Sequence, residues 1–196
     1  MTGLGQKQSY QNLARFFDTN GSLITVGGVG LNGSTIPNDT GYGYLSFTTQ
    51  TYNTYHIWGV SSGGSVIPTF TDSVLAPSSF TITSPGYLPD SVSVSSGFTI
   101  AYGSPGTDSV VVAVVYDGQL SPILTSSTDT VTKPRYSFVS NTGSTSISSS
   151  MMSGFPSYGV VIITVGGSRF KNRIISGRQY QIRSTSSAST ILYLKP

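Results

Sequence analysis

The chain has 196 residues, which is long enough for one large or two small domains with a hydrophobic core. Only 9% of the residues are charged, there is no cysteine and the net charge is +3. These values exclude disulfides and thiolate metal sites, and they do not indicate disorder driven by charge repulsion.

The composition predicts an all-β fold. Glutamate is absent, whereas glycine, serine, threonine and tyrosine are abundant. Exposed helix faces usually carry Glu and Lys, so long helices are not expected. No segment reaches the roughly 18 consecutive apolar residues that a transmembrane helix needs.

The first half of the chain predicts a small β unit. We expect a flexible polar lead-in at residues 1–9 and an N-terminal β unit at residues 10–74. Turn signals occur at Asp18–Gly21 and at Asn32-Gly33. Residues 55–60 alternate between large and small or polar side chains, which predicts a strand.

The second half predicts an immunoglobulin-like β-sandwich at residues 80–196, after a linker at residues 75–79. Its longest apolar run is Val110–Tyr116, which is too β-branched and too short for an ordinary helix. We therefore predict a strand that is buried on both faces. A further strand is predicted at Phe98–Tyr102. A similar run, Val160–Val165, ends at Gly166-Gly167, and we expect the two runs to pair or pack together.

Two clusters are candidates for binding. An aromatic cluster could stack on the C–H faces of sugars if its rings are exposed, or else fill the core of the first unit; it comprises Tyr42, Tyr44, Tyr52, Tyr55 and Trp58. A basic cluster could attract an acidic polysaccharide, a phosphate or a nucleic acid, or else form a solvated sheet edge or pair with the aspartates of the first unit. It comprises Arg169, Lys171, Arg173, Arg178 and Arg183. The first three basic residues are spaced by two, which places them on one face of a strand. A turn is predicted at Ser176-Gly177, and a hairpin there could place Arg178 and Arg183 beside the first three.

The chain has little that predicts catalysis. Gly59–Gly63 matches the G-x-S-x-G pattern and His56 lies nearby, but no helix is expected after it to support a nucleophile elbow. His56 is the only histidine, and the aspartates lie mostly in turns. We predict no catalytic residue, no metal ligand and no cofactor, and we find no nucleic-acid-binding motif.

These features predict a non-enzymatic binding or adhesion protein at a cell surface or outside the cell. In composition the chain resembles two groups, bacterial surface β-sandwich proteins and viral coat or fibre subunits. The sharper prediction is glycan binding, with a polysaccharide or another surface protein as partner. The alternative is a self-assembling structural subunit in a virion, and a serine hydrolase is the least favoured class.

Overall fold

The computed structural model describes residues 6–47 and 51–196, and the protein is all-β. The strands follow one another along the chain as β1 (Lys7–Phe17), β2 (Gly28–Leu31), β3 (Ser34–Ile36), β4 (Asn38–Asp39), β5 (Gly43–Ser46), β6 (Tyr55–Ser61), β7 (Phe70–Leu75), β8 (Ile82–Ser84), β9 (Ser91–Ser93), β10 (Phe98–Tyr102), β11 (Ser109–Tyr116), β12 (Lys133–Ser140), β13 (Ser144–Ile147), β14 (Gly159–Ile175) and β15 (Arg178–Lys195). One short helix, α1 (Ser121–Leu124), lies between β11 and β12. In the described part of the chain no helix is long and apolar enough to cross a membrane.

The chain divides into two compact units. The larger unit contains Ser79–Gly167 and Ser187–Pro196 together with residues 6–8, and the smaller unit contains Ser9–Ser78 and Ser168–Ser186. The sequence prediction assigned the whole of residues 80–196 to the second domain. The structure instead groups the hairpin of Ser168–Ser186 with the N-terminal strands.

The larger unit has two sheets with a hydrophobic core between them. One sheet has the strand order β12-β11-β14-β15, with β9 pairing in parallel with β15, and the other has the order β13-β10-β8. The core takes side chains from both sheets, including Val112 and Ile163 from the first and Ile100 and Ile147 from the second. Aligned apolar faces of two sheets are the architecture of a β-sandwich.

The predicted pairing of the two long apolar runs is confirmed. β11 pairs antiparallel with β14 so that Val112 lies opposite Val165 and Val114 opposite Ile163. The expected burial of both faces of β11 is wrong, however. Val110, Val112, Val114 and Tyr116 are buried, whereas the alternate residues Val111, Ala113 and Val115 are only partly covered.

The smaller unit also has two sheets. One has the order β14-β15-β1-β5-β4 and the other the order β3-β2-β6-β7. Its core contains Phe16, Leu31, Trp58 and Tyr180, which come from both sheets. β7 was not predicted, because residues 70–75 mix polar and apolar side chains.

Two other local predictions differ from the structure, and one is confirmed. Residues 7–9 begin β1 rather than forming a flexible lead-in, and residues 1–5 lie outside the described part. Gly166-Gly167 does not end a strand, since β14 continues to Ile175. The turn predicted at Ser176-Gly177 is confirmed: both residues have positive φ, as a two-residue hairpin requires.

Candidate functional site

The five rings of the predicted aromatic cluster are not all at the surface. Trp58 is fully buried and Tyr44 is 3% exposed, so neither ring is available to stack on a sugar. The Tyr44 hydroxyl donates a hydrogen bond to the Val26 carbonyl oxygen at 2.6 Å inside the core of the smaller unit. These two side chains stabilise the fold.

The other three tyrosines differ in their exposure. Tyr55 is 66% exposed on β6, and Tyr42 is exposed in the turn after β4. Tyr52 is half-buried and makes an edge-to-face contact with Tyr10, with ring centroids 5.1 Å apart. Tyr55 and Trp58 are three residues apart on one strand, so their side chains point to opposite faces.

The predicted basic strand contacts one partly buried acid. Lys171 and Arg173 lie on the same face of β14, as expected, and both contact the Asp72 carboxylate of β7. The Arg173 Nε lies 3.4 Å from Asp72 Oδ2, and the Tyr180 hydroxyl donates to the same oxygen at 2.5 Å. The charge of this strand is therefore partly neutralised within the smaller unit.

The electrostatics of Asp72 follow from these contacts. Burial alone would raise its pKa, but hydrogen bonds from Lys171, from the Tyr180 hydroxyl and from the Ser73 N–H outweigh it, and the pKa is lowered. The pKa of Tyr180 is raised by burial and by donation to this carboxylate. Pairing of the basic strand with an aspartate of the first unit was one of the expected alternatives. The sequence could not identify Asp72 as that aspartate, because its partners lie about a hundred residues away.

The remaining basic residues do not form one continuous row with Lys171 and Arg173. Arg178 and Arg183 are five residues apart on β15, so their side chains point to opposite faces. Arg183 is partly buried and donates to Gln11 Oε1 at 3.1 Å. Burial, together with the nearby charge of Arg15, lowers the pKa of Arg183. Arg169 is partly exposed on β14.

His56 belongs to a buried polar network in the smaller unit. Its Nδ1 lies 3.1 Å from Asn12 Oδ1 and 3.2 Å from Ser184 Oγ, while its Nε2 lies 2.9 Å from the Thr51 carbonyl oxygen. The Tyr10 hydroxyl lies 2.8 Å from Ser184 Oγ, and burial raises the pKa of Tyr10 to about 12. Because the Thr51 carbonyl can only accept, we assign the ring proton to Nε2.

This network contains a serine within hydrogen-bond reach of the histidine, but it does not form an accessible site. His56 and Ser184 are both 0% exposed, so a substrate cannot reach either side chain. Ser61 of the G-x-S-x-G pattern lies on the exposed face of β6, opposite to the face that carries His56. In the described residues no cluster of three or more His, Cys, Asp or Glu side chains could hold a metal ion.

We expect the network to make stability depend on pH. Burial lowers the pKa of His56 below 6.5 despite the opposing hydrogen bond to Thr51, so the unfolded chain takes up a proton at a higher pH than the folded chain. The stability contributed by neutral His56 is thus present above pH 6.5 and is lost as the pH falls through the lower folded pKa. Urea denaturation at about pH 7.5 and about pH 5.5 should show this loss.

The matched control for this prediction is His56→Gln, which cannot take up a proton. It should be less stable than the unmodified chain at the higher pH, because the buried network around the ring is disturbed. Its stability should change much less between the two pH values. An equal pH dependence in both proteins would contradict the assignment, since His56 is the only histidine.

A separate surface of the larger unit is apolar and uncovered. We call it the apolar face; it consists of the outward-pointing side chains Val111, Ala113, Val115, Pro134, Tyr136, Phe138 and Ile162. Phe138 lies opposite Val111 and Tyr136 opposite Ala113 in the pairing of β11 with β12. Tyr136 is 65% exposed and Phe138 81% exposed, although both are large and apolar.

The apolar face was not predicted, because the sequence of β12 predicts a strand but does not show which side of that strand stays exposed. The signal was present: in residues 133–140 the aromatic side chains alternate with Lys133, Arg135 and Ser137. Arg135 lies over the Phe155 ring and Lys133 over the Tyr116 ring, which holds the cations on the other side of the strand. The aromatic side chains are left pointing outward.

The sequence matches no protein-family model, and no curated protein matches it significantly.

Proposed function

We propose that the protein is a non-enzymatic structural subunit that assembles with copies of itself through the apolar face. One observation carries this proposal: the outward side of β11 and β12 is as apolar as the buried side, yet the chain leaves it open to solvent. Strands with apolar residues on both sides occur where both sides are covered. A second protein surface would supply the missing cover.

The charge distribution favours a second copy as that surface. The apolar face carries no charged side chain, so two copies can approach through it without bringing like charges together. The outward positions on the neighbouring part of β15, which include Ser189, Ile191 and Tyr193, are also uncharged. The paired acids and bases of the smaller unit, around Asp72, lie outside this surface.

We expect Val115→Asp to prevent association through the apolar face while leaving the fold intact. Val115 is partly exposed in the apolar face between Pro134 and Ile162, so a carboxylate there stays hydrated in the monomer but is buried in the assembly. Sedimentation velocity over about 1 µM to about 1 mM measures the change.

The control is Ile123→Asp, which alters an exposed apolar residue of α1 outside the apolar face. It should associate like the unmodified chain. A chain that stays monomeric over the whole concentration range, or two variants with the same effect, would contradict the proposed function.

Glycan binding is a second candidate, and one feature of the larger unit favours it. A cleft of about 420 Å³ is lined by Ser126–Asp129 and Gly154–Tyr158, and the Tyr158 side chain in it is 54% exposed. An exposed ring beside hydroxyl and carboxylate groups is a surface on which a sugar can stack and form hydrogen bonds. Retention on a glycan array that is lost in Tyr158→Ala would support this candidate, and no retention would reject it.

A further inference from the structure

β12 ends its sheet and leaves its backbone open. It is the outermost strand of the order β12-β11-β14-β15 and has 8 residues, whereas β7, the next longest strand that ends a sheet in the described residues, has 6. Long apolar edge strands are templates for pairing with another strand. Charged residues usually prevent such pairing at an edge. In β12, however, the Lys133 and Arg135 side chains point to the face of the sheet opposite the apolar face.

The hydrogen-bond pattern shows which backbone groups are open. The Asn141 N–H donates to the Asp108 carbonyl oxygen at 2.9 Å, in the same register that places Ser140 opposite Ser109. Bonded and non-bonded pairs alternate along an antiparallel ladder. Tyr136 and Phe138 therefore direct their N–H and C=O groups away from β11, toward the open edge.

We propose that two copies of the chain join edge to edge, with β12 pairing antiparallel to β12 of the second copy in a register centred on Ser137. This inference rests on the proposed function and names the contact by which assembly begins. The sheet that ends in β12 in one copy and the same sheet in the other copy would become one continuous sheet. The apolar faces of both copies would then lie side by side on the same surface.

The register follows from the chemistry of the strand. Centred on Ser137, it places Tyr136 of each copy opposite Phe138 of the other, which forms two cross-strand aromatic pairs. The same two residues then exchange four backbone hydrogen bonds. Pro134, which has no N–H and whose carbonyl already accepts from the Arg135 guanidinium, stays at the ends of the paired segment.

The charges are compatible with this arrangement. Arg135 lies opposite Val139 of the second copy, and Lys133 lies beyond the paired aromatic residues. The cations of the two strands are therefore not directly opposite one another, which avoids the destabilisation that like charges cause in a sheet. Any strand can form backbone hydrogen bonds with an open edge. A second copy of β12 also provides Tyr136 and Phe138, which pair with Phe138 and Tyr136 of the first copy.

Two substitutions at Phe138 separate backbone pairing from side-chain contact. Phe138→Ala removes the ring and keeps the N–H, and we expect about tenfold weaker dimerisation from the two lost aromatic pairs. Phe138→Pro also removes the outward N–H and should weaken dimerisation about a further tenfold. Proline is tolerated on an edge strand where the N–H faces solvent, so both variants should keep the thermal stability of the unmodified chain.

A single cysteine tests the register, because the chain has none of its own. In the proposed register the Ser137 residues of the two copies lie directly opposite each other as a non-hydrogen-bonded pair. The Cα atoms of such a pair are about 4.5 Å apart, a distance that a disulfide can bridge. Ser137→Cys should therefore give a disulfide-linked dimer under mild oxidation. Ser140→Cys is the control, since its counterpart would lie about 20 Å away along the strand, and it should not crosslink.

The outcomes distinguish the inference from the proposed function. A chain that associates, is blocked by Val115→Asp, but responds equally to Phe138→Ala and Phe138→Pro would overturn edge pairing and leave assembly through the apolar face standing. Failure of Ser137→Cys to crosslink in an associating sample would overturn the register. A strictly monomeric chain would overturn both.

Discussion

Replacing Trp58 by alanine should lower the free energy of unfolding by about 3–5 kcal/mol, the cost of a large cavity in a packed core. Trp58 is fully buried in the smaller unit, where its strand neighbours in register are Leu31 and Asp72. Its indole Nε1 has no hydrogen-bond partner among the described residues. The expected loss is therefore a loss of apolar packing, and urea denaturation followed by circular dichroism measures it.

Tyr55→Ala is the matched control on the same strand. Tyr55 is 66% exposed, so its removal should change the free energy of unfolding by no more than about 0.5 kcal/mol. If Trp58→Ala were as stable as the unmodified chain, the ring would have to be outside the core. That outcome would restore Trp58 as a candidate for sugar stacking.

The strands of the larger unit could be predicted because their apolar runs are local signals. The run Val110–Tyr116 is present in the structure as β11 with one added residue, and the strand predicted at Phe98–Tyr102 has the same bounds in β10. Periodicity also identifies the partner strand, β14. Periodicity could not show that one face of β11 stays open, because the sequence is the same whether this chain or another protein covers an apolar side chain.

The length of β14 and β15 could not be predicted from local signals. Gly166-Gly167 reads as a turn, but here the strand continues, and Gly167 lies against Pro105, where a Cβ would come within 2.6 Å of the proline ring. The close approach, not a turn, explains the glycine at this position. This contact joins residues far apart in sequence, so the pattern around Gly167 alone does not reveal it.

The contacts of the candidate binding residues also depend on residues far away in the sequence. Strand parity alone could have separated Tyr55 from Trp58, and Arg178 from Arg183, because each pair is an odd number of residues apart. Pairing of the basic strand with the first unit was among the expected alternatives, but the sequence could not show which aspartate takes part, because Lys171 and Asp72 are 99 positions apart. The aromatic and basic clusters therefore looked like sites in the sequence.

Val112→Asp should prevent the larger unit from folding. Val112 is 0% exposed, with Val165 opposite it on β14 and Ser137 opposite it on β12, and neither offers a charged partner. Burying an unpaired carboxylate costs several kcal/mol or forces it to stay protonated, which is a large part of the roughly 5–15 kcal/mol that stabilises a typical domain. Circular dichroism should show loss of the cooperative thermal transition of this unit.

Val111→Asp, one residue earlier, should leave that transition within a few degrees of the unmodified chain. Val111 points to the apolar face and is partly exposed, so its carboxylate can remain hydrated in the monomer. The contrast between neighbouring residues measures directly whether one face of β11 is core and the other is surface. Equal destabilisation by the two substitutions would mean that the outward face is already covered within the chain, which would remove the basis for assembly through it.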